Sequence, residues 1–235
     1  MAPVARVLGR KFGVLEPLIT ARSLEGQIAE LTQLLAREAE EPTTLIGHSY
    51  GSWLSVMVAA RAPHLVAKLV LVSSGAFTAE RAADIELERR SRLSEEEGLE
   101  SERLALAFES ATAQEREMIW LKYGELCIKS DSYDPVDAPN EVLPGGAAVF
   151  QAVWPEVALQ RDSGQLLGMA ATLVCPVVAI HGDYDPQPVI GVAQPLEEAV
   201  KDFHCVILAN CGHTPWIEHN AQAEFYAVLA RELSQ

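Results

Sequence analysis

No run of apolar residues in this chain approaches the roughly 20 that a bilayer-spanning helix requires, so no membrane span is expected. Basic charge is scarce too. Eighteen Lys and Arg stand against 33 Asp and Glu, and the formal net charge of −15 repels nucleic acid and anionic lipid surfaces. Cys127, Cys175, Cys205 and Cys211 show neither CxxC nor metal-ligand spacing, so reduced thiols and no metal site are expected. Nothing reads as a secretory leader, which makes a cytoplasmic location the expectation. A phosphate loop is also missing, so no cofactor is implied. A small-molecule substrate is the partner left, and the oligomeric state is not encoded in any feature we recognise.

The length of 235 residues and the 49% hydrophobic content suit one domain with a full core, or one domain carrying a large insertion. Phe12–Leu15 reads as a short apolar strand closed by Glu16-Pro17. Ser23 is placed to cap a helix whose apolar stripe is Leu24, Ile28, Leu31, Leu34 and Leu35. A strand at 43–46, a helix to about Arg61 and a continuous apolar strand at 68–72 follow. Such a run, apolar at every position, suits a parallel sheet buried on both faces. The order strand, helix, strand, helix, strand is α/β.

Between Phe77 and Leu166 the character changes. Glu and Arg are dense, apolar residues recur at helical spacing, and no strand pattern occurs. These residues are expected to form a helical lid inserted into the sheet, dividing the chain into a core of 1–76 with 167–235 and a lid of 77–166. An Asp-, Pro- and Gly-rich loop is expected from Asp131 to Gly146, with Gly145-Gly146 as a turn. Trp120, Tyr123, Tyr133 and Trp154 suit aromatic packing within the lid better than an acyl pocket beneath it. The sheet resumes with strands at 176–180 and 205–208, separated by a helix at 189–200, and a last helix buries Phe225, Val228 and Leu229.

Three loops carry the chemistry. Gly47-His48-Ser49-Tyr50-Gly51 sits between a strand and a helix, the context of a nucleophile elbow, in which a strained serine is presented at a helix N-terminus. A serine hydroxyl is a weak nucleophile until an adjacent base and an orienting acid activate it. His181-Gly182-Asp183-Tyr184-Asp185-Pro186 and Cys211-Gly212-His213-Thr214-Pro215-Trp216 supply acid and base candidates. Each loop follows a strand, and active sites of open α/β sheets gather at the carboxyl ends of strands.

The three segments, in the order Ser…Asp…His, resemble those of the α/β-hydrolase family, and within it the lidded esterase and proline-iminopeptidase-like branch. The resemblance runs from about Val7 to the C-terminus. It implies an α/β-hydrolase fold, a mostly parallel sheet with a helical lid, with Ser49 as nucleophile and His213 as base. The family's acid usually stands three residues beyond the strand-end glycine, which selects Asp185. Asp183 is the alternative acid, Asp185 then being the cap of the next helix with Pro186 at its first position. The N–H of Tyr50 would serve the oxyanion hole. His48 would pack under the elbow, and His64, His181, His204 and His219 receive no role.

The family pattern also has three strands before the one read at Phe12, the third followed by a His-Gly segment that supplies a second oxyanion donor. Only 48 residues precede Ser49, and none of them reads as that segment. The expectation is therefore a chain shortened at its N-terminal end relative to the family, with no second donor found. Its absent third strand would be a central one, so the strand at Phe12 would have to pair with the one at Thr43. Three functions stay open: a serine hydrolase of small esters or amides, a proline-iminopeptidase-like aminopeptidase, and a catalytically impaired remnant.

Overall fold

Four parallel strands organise the computed structural model, which describes residues 1–39, 41–136 and 145–234. They are β1 (Thr43–His48), β2 (Val66–Val72), β3 (Val177–Gly182) and β4 (Phe203–Leu208), lying in the order β1-β2-β3-β4. His48 stands beside Val72 and Val72 beside Ile180, so β1 and β2 end level and β3 runs two residues further. Gly182 stands beside Leu208 at the end of the β3–β4 pair. The three motif loops leave from this carboxyl rim.

Helices cover both faces. On one face Leu69, Leu71, Val177 and Ala179 pack with α2 (Leu24–Glu38), α3 (Tyr50–Arg61) and α9 (Ile190–Ala199). On the other, Val70, Val72, Val178 and Ile180 meet α1 (Ala2–Leu8) and α10 (Gln222–Glu232). Alternate residues of one strand thus enter opposite cores, which is why β2 and β3 had to be apolar at consecutive positions. Each fully buried Val, Leu or Ile removes enough apolar surface to contribute about 1.5–3 kcal/mol. Ser23 accepts the Gly26 N–H as the cap of α2, and α2 turns Leu24, Ile28, Leu31 and Leu35 inward.

Between β2 and β3 the described residues contain no strand, and their α-helices are α4 (Ala82–Arg92), α5 (Glu95–Ser110), α6 (Ala113–Asp131), α7 (Gly146–Asp162) and α8 (Gln165–Ala170). Capping boxes at Ser94 and Thr112 start α5 and α6. Of the loop read at 131–146, residues 137–144 lie outside the described residues; Asp131 closes α6, and 132–136 lead away from it with Pro135 bridged to Glu218. Gly145 holds a φ of 88° as it leads into α7.

Phe12–Leu15 is not a strand. The N–H of Phe12 donates to the Leu8 carbonyl at 3.0 Å as the last turn of α1 closes, which commits its backbone away from any ladder. β1 pairs with β2 alone, and Phe12, Val14 and Leu15 are exposed. The expected pairing with the strand at Thr43 is not formed. No helix among the described residues is long and apolar enough to cross a membrane.

Candidate active site

Ser49 stands between β1 and α3 with φ 53° and ψ −122°. An L-residue pays about 1–3 kcal/mol to stay in such a region. Three contacts hold it there: its N–H donates to the Val72 carbonyl, its carbonyl accepts from the Ser52 N–H, and the Ser52 hydroxyl donates to the Gly47 carbonyl. Gly47 is a steric requirement, because a Cβ there would lie 2.5 Å from the Gly51 carbonyl carbon and 2.6 Å from the Ser52 nitrogen. The turn thereby aims Ser49 along the start of α3. Tyr50 is the first residue of that helix, so its N–H has no intrahelical partner and carries the positive end of the helix dipole.

Asp185 and His213 come together from β3 and β4. His213 Nδ1 lies 2.9 Å from Asp185 Oδ2 and 3.0 Å from Oδ1. The Asp185 side chain is fully buried and that of His213 is 13% exposed. Asp185 Oδ1 also accepts the Gln187 N–H. Burial opposes the charge on Asp185, but the His213 and His181 imidazoles and these hydrogen bonds outweigh it, holding the carboxyl below its ordinary value. Burial likewise opposes the His213 cation, and the Asp185 carboxylate more than compensates, raising the imidazole above its ordinary value.

Asp183 goes elsewhere. Its Oδ1 accepts the Cys211 N–H at 3.2 Å, joining the loop after β3 to the loop after β4. The alternative placement of Asp185 as a helix cap fails too, since α9 starts at Ile190 and not at Pro186. Asp185 is the carboxylate that faces His213.

His48 lies under the turn. Its Nε2 is 2.9 Å from the His213 carbonyl oxygen, so this nitrogen must carry the hydrogen and donate. Its ring sits 4.9 Å from the His213 ring and 4.7 Å from Trp216. Burial, then the His213 charge, pushes its pKa down to about 3, which leaves it neutral and unsuited to act as base. His48 thus couples the residue beside Ser49 to the backbone of His213. Among the described residues no hydrogen bond joins the Ser49 hydroxyl to the His213 ring; such bonds often form only once substrate is bound.

The second oxyanion donor is not supplied by the turn entering α2, where the N–H groups of Thr20 and Ala21 are committed to Glu30 and that of Leu24 to Glu156. Of the aromatic candidates, Trp154 stacks between Trp53 and Phe150, and Trp120 packs on Phe150. Tyr123 points its hydroxyl at Glu86, and Tyr133 meets Tyr184 edge-on. His181, buried, sits 2.8 Å from the Gln187 carbonyl and 3.5 Å from Asp185 Oδ2.

Four residues that no motif pointed to support these loops. Arg89 on α4 forms a bidentate pair with Asp131, whose carbonyl accepts the His213 N–H at 2.8 Å. Arg92 donates to the carbonyls of Ser130 and Tyr184 and lies over the Tyr184 ring. Glu218 accepts main-chain N–H groups from the base loop (Gly212) and from the segment leaving α6 (Tyr133). In the sequence Arg89 and Arg92 look like members of a solvated charge run. Only their partners, distant along the chain, distinguish them.

A family model described as the Alpha/beta hydrolase family matches residues 9–228. The chain belongs to the alpha/beta hydrolase family. No curated protein matches this member. Among solved structures, it is similar to VinJ, at 19% identity over 90% of this chain and 72% of that one, with a TM-score of 0.62. It is also similar to an esterase from Exiguobacterium antarcticum, at 14% identity over 95% and 78% of the two chains, with a TM-score of 0.62. The proline iminopeptidase of Mycobacterium smegmatis is similar at 16% identity over 95% and 76%, with a TM-score of 0.58. At these identities the likeness establishes the hydrolase fold.

Proposed function

We propose that this alpha/beta hydrolase family member is a serine hydrolase that cleaves a small ester or amide through an acyl-enzyme. The observation that carries the reading is the buried Asp185 carboxylate 2.9 Å from His213 Nδ1, with Ser49 strained at the start of α3 on the same rim. His213 Nε2 takes the Ser49 hydroxyl proton as Oγ attacks the substrate carbonyl carbon. Asp185 holds the imidazole in the Nδ1–H tautomer and stabilises the imidazolium. The oxyanion faces the Tyr50 N–H. Collapse expels the alcohol or amine, which collects the proton from Nε2, and water then repeats the sequence on the acyl-enzyme to release the acid.

Esters are the substrates to try first, because four glutamates of the acid-rich insertion are already held by cations. Glu86 meets Arg89, Glu88 meets Arg92, Glu97 meets Lys129 and Glu100 meets Lys122. A fluorophosphonate probe tests the proposal. Stoichiometric labelling that disappears in Ser49→Ala is expected, with p-nitrophenyl esters of short acids turned over faster than proline arylamides. Folded protein that neither labels nor hydrolyses any ester would overturn the reading in favour of a catalytically impaired remnant.

A further inference from the structure

Glu218 is completely buried, and among the described residues no Lys, Arg or His pairs with it. A carboxylate without a cation in such a place is costly unless its oxygens are saturated by donors. Here the donors are main-chain groups. Oε1 accepts the N–H of Tyr133 and of Gly212, both at 2.9 Å, and Oε2 accepts the N–H of Asp134 at 2.8 Å. Two of these donors belong to the segment that leaves α6. The third is the residue before His213.

The same two stretches are laced together by backbone. His213 N–H donates to Asp131, Val136 N–H to Ile217, and His219 N–H to Asp134. Gly212 lies so close to this seam that a Cβ on it would stand 2.6 Å from Glu218 Oε1 and 2.8 Å from the Ser132 Cα. On its other side the His213 carbonyl is held by His48. The backbone of residue 213 is thus gripped from both sides, and an apolar side chain at 218 would leave three N–H groups without an acceptor.

We infer that Glu218 is a positioning residue for His213: its carboxylate locks the base loop to the segment leaving α6, so that the imidazole meets Asp185 and Ser49 at one fixed depth. The catalytic part of this rests on the serine-hydrolase reading above. A glutamate that merely stabilised the fold would affect melting and leave the chemistry of each folded molecule alone.

Glu218→Gln separates the two, since it preserves volume but turns an NH2 toward one of the three N–H donors. The expected result is a kcat at least tenfold lower per phosphonate-titrated site, with KM within twofold of wild type. The downfield proton resonance of His213 Nδ1–H, assigned by its loss in His213→Ala, should broaden or vanish in the same variant. Glu218→Asp, which keeps the charge, should recover part of kcat. A Glu218→Gln protein with a lower Tm but unchanged kcat per site and an unchanged resonance overturns the inference. Should the variants not fold, amide exchange of the wild type decides. The amides of Asp134, Gly212 and His213 should share one opening free energy, and Gly212 opening independently of Asp134 sinks the idea. If wild type itself neither labels nor turns over, the hydrolase reading falls, while the resonance and exchange still judge Glu218.

Discussion

The N–H of His213 donates to the main-chain carbonyl of Asp131 at 2.8 Å, so the candidate base hangs from the last residue of α6. The Asp131 carboxylate meanwhile turns the other way, to Arg89 on α4. One residue therefore serves the base loop with its backbone and the helical insertion with its side chain.

That division gives a prediction. Arg89 and Asp131 side chains are 18% and 7% exposed, and removing one partner of a largely buried pair strands the other charge at a cost of about 3–5 kcal/mol. Arg89→Ala should lose stability on that scale by urea unfolding. The Arg89→Ala/Asp131→Ala double variant should lose clearly less than the sum of the single losses. Asp131→Asn keeps the carbonyl that holds His213, so its kcat should fall by less than about tenfold; a larger fall would mean that the carboxylate itself acts on the base.

Stability and activity should respond to pH in opposite directions at the His213–Asp185 pair. The His213 pKa is raised above 6.5, so its contribution to stability is complete below 6.5 and is lost as pH rises through the folded value. The Asp185 pKa is lowered below 3.8, so its contribution is complete above 3.8 and is lost as pH falls through the folded value. The pair therefore stabilises most between these two ordinary values. A general base must be neutral, so kcat/KM should climb through an ionisation above pH 6.5 while that share of stability declines. Asp185→Asn should move the ionisation downward and cut kcat by about 10⁴. Asp183→Asn, which keeps an acceptor for Cys211, should change kcat little.

The elbow makes its own prediction in unfolding experiments. Ser49→Gly relieves the positive φ, whereas Ser49→Ala removes the hydroxyl and retains the strain. Despite glycine's extra freedom when unfolded, Ser49→Gly should be the more stable of the two by about 1 kcal/mol. Gly47→Ala should cost about 3 kcal/mol, because its methyl overlaps backbone that has nowhere to move. Equal stability for the two Ser49 variants would show that the turn is not strained.

Local pattern made much of the site legible. Consecutive apolar residues at 69–72 and 177–180 can be satisfied only between two layers of helix, and Gly47 and Ser49 mark a turn whose steric demands are local. The resemblance to the hydrolase family selects Asp185 over Asp183, and it is Asp185 that His213 faces. Phe12–Leu15 looks like a strand in the sequence because a four-residue apolar run says nothing about where its N–H groups go. The end of α1 claims that of Phe12, and β1 is paired on its other edge only.

Residue order alone determined that a serine, a carboxylate and an imidazole would each follow a parallel strand, since strand period and turn chemistry act over a few neighbouring residues. Which carboxylate meets the imidazole, that His48 bonds the backbone of His213, and that Arg89, Asp131 and Glu218 hold the base loop were decided only when distant segments packed together. A charged residue looks the same in the sequence whether water or a buried N–H group will finally hold it.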